Sequence, residues 1–185
     1  MTEDKKAISR RDLLFGALKK LRRDDDFEDS PPPRKAQSDG PDHFLLGNVA
    51  FSARNYSAAM DHYRQAVKAI PNHDEARRRL GYCLYRMEQY IQARVEFERL
   101  LHGGKDNFAS LYLGLTLARM NMPDKAIKAW KDYFNPDEVR IAREINLQCA
   151  LLASPDPPEA SEAADEVEQA VEDRKRELAE AGSQA

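Results

Sequence analysis

LGNVAFSARNYSAAMDHYRQAVKAIP, residues 46–71, is written three times along this chain in altered form. It returns as LGYCLYRMEQYIQARVEFERLLHGG at residues 80–104 and as LGLTLARMNMPDKAIKAWKDYFNP at residues 113–136. Gly47, Gly81 and Gly114 stand 34 and then 33 residues apart. Counting on from the first glycine gives Tyr56, Ala59, Tyr63, Ala66 and Pro71. The same steps give Tyr90, Ala93, Phe97 and Leu100 in the second copy, and Pro123, Ala126, Trp130 and Tyr133 in the third. A constant period of this length marks a stack of one supersecondary unit.

Each recurring residue type has a physical reason. The glycine and the first alanine are small where two antiparallel helices cross closely, and a larger side chain would force them apart. The aromatic that follows is expected to fill the space between one helix pair and the next. Pro71-Asn72, Gly103-Gly104 and Asn135-Pro136 carry the stop signals between pairs. Pro123 suits the first turn of a helix, where its missing N–H leaves nothing unpaired.

These residues resemble the tetratricopeptide repeat family, whose unit is a 34-residue helix–turn–helix, over about residues 40–136. The resemblance implies an all-α, right-handed helical solenoid. It departs from the family pattern at His43, Arg77 and Ser110, where a large aromatic is usual, and in lacking a closing proline after the second and third repeats. An array of this kind leaves its last apolar face open, so a cap is expected. Residues 137–153 suit that role, with Val139, Ala142, Ile145 and Cys149 at helical spacing. The ordered core is therefore expected at 41–153, with seven helices.

The flanks differ in composition. Residues 1–23 hold eight Lys/Arg and three Asp/Glu, whereas residues 154–185 hold ten acidic and three basic residues. Ser9-Arg10-Arg11-Asp12 reads as a variant capping box, with Ile8 and Leu13 as its staple, opening a helix to about Arg23. Leu14, Phe15, Leu18 and Leu21 would share one side of that helix, and Lys19, Lys20, Arg22 and Arg23 the rest. Packing on the solenoid, contact with a membrane surface through residues 10–23, and docking to a partner all fit it. The Ser-Arg-Arg-Asp-Leu-Leu run is similar to a twin-arginine export signal, but its apolar region ends at Lys19-Lys20, too soon for export. Residues 24–40, with Pro31-Pro32-Pro33, read as an acidic, Pro-rich linker. Residues 154–185 read as an acidic, flexible tail that becomes Ala/Glu-rich and forms a marginal, solvated helix, since Val167, Val171 and Leu178 alone supply too few apolar contacts for a core of their own.

Nothing in the sequence points to catalysis, a metal or a cofactor. His43, His62, His73 and His102 do not pair at metal-ligand spacing, and no phosphate loop, nucleophile elbow or Cys-x-x-Cys occurs. Cys83 and Cys149 read as buried free thiols in a reducing cytoplasm. Arg77-Arg78-Arg79 could contact phosphates, but a pI of about 5.9 and the acidic flanks oppose nucleic-acid binding.

What the resemblance implies about function is peptide binding on the concave face, lined by the first helix of each pair. Carried onto this chain, that face offers Phe44, Asn48, Phe51 and Ser52 from the first repeat. Arg78, Tyr82, Tyr85 and Arg86 follow from the second, and Leu111, Leu115, Ala118 and Arg119 from the third. Leu111 and Leu115 could equally be core. Aromatic walls with arginine forks suit a protein or peptide segment bearing apolar and acidic side chains. Among the family's clamps for C-terminal carboxylates, only Asn48 matches; Phe44, Arg79, Phe108 and Tyr112 stand at the other positions. Three repeats with helical flanks also look like secretion chaperones, an analogy of architecture. Either flank could itself occupy the basic groove and compete with a partner.

Overall fold

The computed structural model describes residues 42–183, which lie within the unit Pro41–Ala185. The amphipathic segment 1–23 and the linker 24–40 fall outside the described residues. Eight helices and no strand occur among the described residues. They are α1 His43–Ser52, α2 Tyr56–Ala69, α3 Asp74–Arg86, α4 Tyr90–His102, α5 Asn107–Arg119, α6 Pro123–Lys131, α7 Val139–Leu152 and α8 Ala160–Gly182. Each helix from α1 to α6 packs on the next in sequence, the nearest-neighbour pattern of a solenoid.

The glycines sit where the sequence demands small residues. A Cβ on Gly47 would come within 2.6 Å of the Tyr63 ring, one on Gly81 within 2.6 Å of Phe97, and one on Gly114 within 2.2 Å of Trp130. Ala59, Ala93 and Ala126 are wholly buried beside them. The aromatics work in two directions at once. Phe97 lies under Gly81 of its own pair, and its ring centroid is 6.0 Å from that of Tyr112 in the next. The Trp130 indole N–H donates to the Leu111 carbonyl at 3.2 Å, so the largest core side chain leaves no polar group unpaired.

Helix starts follow from short polar side chains. Asp42, Asn55 and Asp106 accept hydrogen bonds from first-turn amides of α1, α2 and α5, and the His73 ring nitrogen does so for α3. The turns inside the repeats have a device that the sequence reading did not find. Arg54, Glu88 and Asn121, each seven residues after its glycine, adopt φ of 57°, 58° and 54°. The next amides, of Asn55, Gln89 and Met122, donate back to the carbonyls of Ala50, Leu84 and Leu117 at 2.9 Å each. Three Schellman caps therefore turn the chain, without a glycine at any of them.

Two expectations need correction. The third pair ends at Lys131, before Asn135-Pro136, and the chain beyond it is tied to α5 through Asn107. The Asn107 amide donates to the Phe134 carbonyl at 2.5 Å, and its oxygen accepts from the Phe134 N–H at 3.2 Å. In α7 the buried stripe is Ile141, Ile145, Gln148 and Leu152, while Val139 is exposed and Cys149 half-buried. The helix is rotated from the expected face because it packs between α6 and α8.

Candidate functional site

The largest departure from the sequence reading is α8. The helix expected in this segment runs over residues 160–182, and it packs on α5 and α7 where a solvated helix was expected. Its anchors are mostly alanines, which apolar counting overlooks: Ala160, Ala163 and Ala164 join Val167 and Val171 in the core. Small side chains let the helix backbone approach α5 closely. Leu178, which continues the same stripe, is 51% exposed. Burying Val167 and Val171 contributes about 1.5–3 kcal/mol each.

The helix crosses the face where the resemblance puts the groove. The Tyr85 hydroxyl donates to Glu168 at 2.5 Å. Arg119 donates to Asp165 at 2.6 Å and to Glu168 at 2.5 Å. Pairs this open to water contribute roughly 0.2–1 kcal/mol each, so apolar contact holds α8 and the ion pairs choose its register. Farther along, the Lys175 ammonium lies 5.7 Å from the Tyr82 ring centroid. Burial raises the Tyr85 phenol well above its ordinary range, and the Glu168 hydrogen bond adds to the shift. Burial lowers Arg119, but bonds from Tyr85, Asp165 and Glu168 outweigh it and hold the guanidinium firmly charged.

Two recesses remain open on this face. One, of about 440 Å³, lies between Tyr56, Tyr82 and Arg86 on one side and Glu168, Glu172 and Lys175 of α8 on the other. The second, of about 340 Å³, is lined by Phe51, Arg78, Arg79, Tyr82, Phe108 and Tyr112, among others. The predicted residues are therefore distributed unequally. Phe51, Arg78, Tyr82, Tyr85 and Arg86 line a recess, Leu115 is wholly buried in the core behind one, and Arg119 is taken by α8. Tyr82 and Tyr85 are nonetheless buried, presenting edges of rings that pack on Phe51, Tyr112 and Tyr90. Leu111 is core, and Phe44 packs on Tyr63 and His73. Asn48 accepts from the Tyr63 hydroxyl at 2.8 Å, a bond within the first repeat.

The three consecutive arginines form no common phosphate patch. Arg77 pairs with Glu96 on α4 at 2.6 Å and also donates to the Pro71 carbonyl. Arg78 pairs with Glu75 and with Asp106, at 2.8 and 2.7 Å, so the residue that caps α5 also ties α3 to it. Arg79 pairs with Glu75 and lies 5.5 Å from the Phe51 ring centroid. Burial raises Glu75, but the hydrogen bonds from Arg79 and Arg78 prevail and keep it below its usual value.

The sequence also missed a contact between distant histidines. His43 and His62 approach with their Nδ1 atoms 3.2 Å apart. No group of three or more metal-ligating side chains occurs among the described residues. No helix among them is long and apolar enough to cross a membrane.

Helix pairs that each pack on the next, with a glycine under an aromatic in each, define a helical-repeat protein of the interaction class. The tetratricopeptide repeat family model matches residues 50–115, from the end of α1 to the middle of α5. The helix pairs in this stretch are tetratricopeptide repeats, and the fold is the helical solenoid of that family. Such repeats mark the chain as a protein–protein interaction module in general terms. No curated protein matches the chain.

Proposed function

We propose that the chain is a non-catalytic adaptor, scaffold or chaperone that holds a polypeptide segment in the open part of its concave face, in the cytoplasm. The segment carries apolar side chains for the Phe51–Tyr82–Phe108 recess and an acidic one for Arg86, which lines the neighbouring recess with Tyr56 and Tyr82. The observation that carries this reading is the placement of Arg86. It is exposed, donates to the Tyr82 hydroxyl at 3.0 Å, and stands 5.1 Å from the Tyr56 ring centroid. A guanidinium held over aromatic rings at the mouth of an aromatic recess suits a carboxylate beside an apolar group.

The test is capture from native lysate by wild type, Arg86→Lys and Arg86→Glu, after equal helicity has been confirmed. A client held by wild type, weakened by the lysine variant and lost from the glutamate variant is the result expected. Equal capture by all three would move the binding site off this face. Tyr82→Ala is a poor probe, because Tyr82 is buried and its loss would open a cavity.

A further inference from the structure

We infer that α8 is an intramolecular ligand of the groove, an acidic amphipathic helix that a partner helix of like chemistry displaces. The inference rests on the groove-binding reading and adds to it the ligand class and its regulation. Three observations support it together.

The first is where α8 sits. Glu168 takes the Tyr85 hydroxyl, Asp165 and Glu168 take Arg119, and Val171 lines a recess with Leu115. Tyr85, Leu115 and Arg119 are positions to which the family resemblance assigns ligand contact. The second is complementarity of charge. Residues 160–173 contain six acidic residues (Glu162, Asp165, Glu166, Glu168, Glu172 and Asp173) and no basic one. On the face they cross, Arg119 pairs with Asp165 and Glu168, and Arg86 lines one recess with Glu168 and Glu172, whereas Arg78 is held by Glu75 and Asp106. The third is the way α8 is held. Its buried stripe stops at Val171, although the helix runs on to Gly182 with Leu178 exposed. Beyond Val171 its contacts come from charged side chains: Arg174 with Glu138, Arg140 with Glu177, and Lys175 near the Tyr82 ring. A seven-residue segment containing Pro155, Pro157 and Pro158 joins it to α7, covering residues 153–159 between Leu152 and Ala160. The tether keeps the local concentration of α8 on the order of mM, so the occupant is replaceable but never far away.

The experiment uses the full chain and, as probe, a fluorescently labelled synthetic peptide of residues 158–183, followed by anisotropy. Wild type is compared with Val167→Asp/Glu168→Lys, which weakens the tethered α8 and leaves the groove intact. A third chain adds Arg119→Glu to that pair. A docked α8 lowers apparent affinity by the fraction of open groove, so its release raises peptide affinity at least about tenfold. Arg119→Glu then removes most of that gain. Equal affinities for wild type and the released chain, or no binding to the released chain, overturn the inference. Hydrogen exchange on wild type gives an independent readout should the variants lose helicity. Amides of α8 exchange at least about tenfold faster than those of α5 if the helix undocks on its own. Equal protection overturns the inference. Failure here leaves the Arg86 dependence of client capture standing, and failure there leaves the peptide result standing.

Discussion

At Gly114 a single hydrogen atom decides how closely α5 and α6 approach. A Cβ there would stand 2.2 Å from Trp130, which is 1% exposed and has nowhere to go. Overpacking of this kind costs about 1–3 kcal/mol, against a gain of about 1 kcal/mol from the better helix propensity of alanine. Gly114→Ala is therefore expected to be destabilising in urea melts, and more so than Gly47→Ala or Gly81→Ala, whose rings stand at 2.6 Å. An alanine variant as stable as wild type would mean that Trp130 can shift. This close approach was legible before any coordinates, since the glycine, the alanine and the aromatic keep their spacing in all three repeats. The His43–His62 contact was not, because nothing in a 19-residue separation says which helix faces meet.

At the scale of elements, the intra-repeat turns are the informative case. Glu88 holds φ of 58°, a conformation that strains a residue with a Cβ by roughly 1–2 kcal/mol. Glu88→Gly should raise stability by about 0.5–1 kcal/mol, after the extra chain entropy that glycine loses on folding. Asn121→Gly should gain less, because asparagine tolerates this region better. Chemical denaturation of the two variants checks the order, and a loss at Glu88 would contradict the cap geometry. The signal for these turns existed only as a position, seven after each glycine, since no residue type marks it. The packing of α8, as opposed to its helicity, escaped the sequence reading for a related reason. Alanine scores as nearly neutral, yet three alanines at i, i+3 and i+4 make a face that packs closely.

Across the whole molecule an aromatic spine links the repeats, and its phenols give a pH signature. Burial raises Tyr63, Tyr85 and Tyr112 above the ordinary value of 10.0. The protonated phenol is the form that the folded state favours. Stability from these groups is therefore complete below the unfolded value and is lost as pH rises above 10, where the unfolded chain ionises first. Tyrosinate absorbance and loss of helicity should appear together in an alkaline titration. Ionisation of these phenols with helicity intact would show that water reaches the spine. The thiol of Cys83, pushed up to about 12 by burial, should likewise stay unreactive until the chain unfolds.

The repeat and its stop signals follow from local spacing, and the helix–turn–helix unit and its first-helix face from the family that spacing resembles. Periodicity is a property of neighbours along the chain, and a solenoid is built almost entirely from neighbour contacts. The occupant of that face is a different matter. Tyr85 and Glu168 are 83 residues apart, and their meeting depends on how α7 is rotated and where the proline segment releases the chain. The same long-range geometry pairs Arg77 with Glu96 and Arg78 with Asp106, while Arg79 pairs one helical turn back with Glu75 and Arg86 stands beside Tyr56 and Tyr82. The resemblance could nominate residues of that face; only packing between distant segments could show that Tyr85 and Arg119 meet α8.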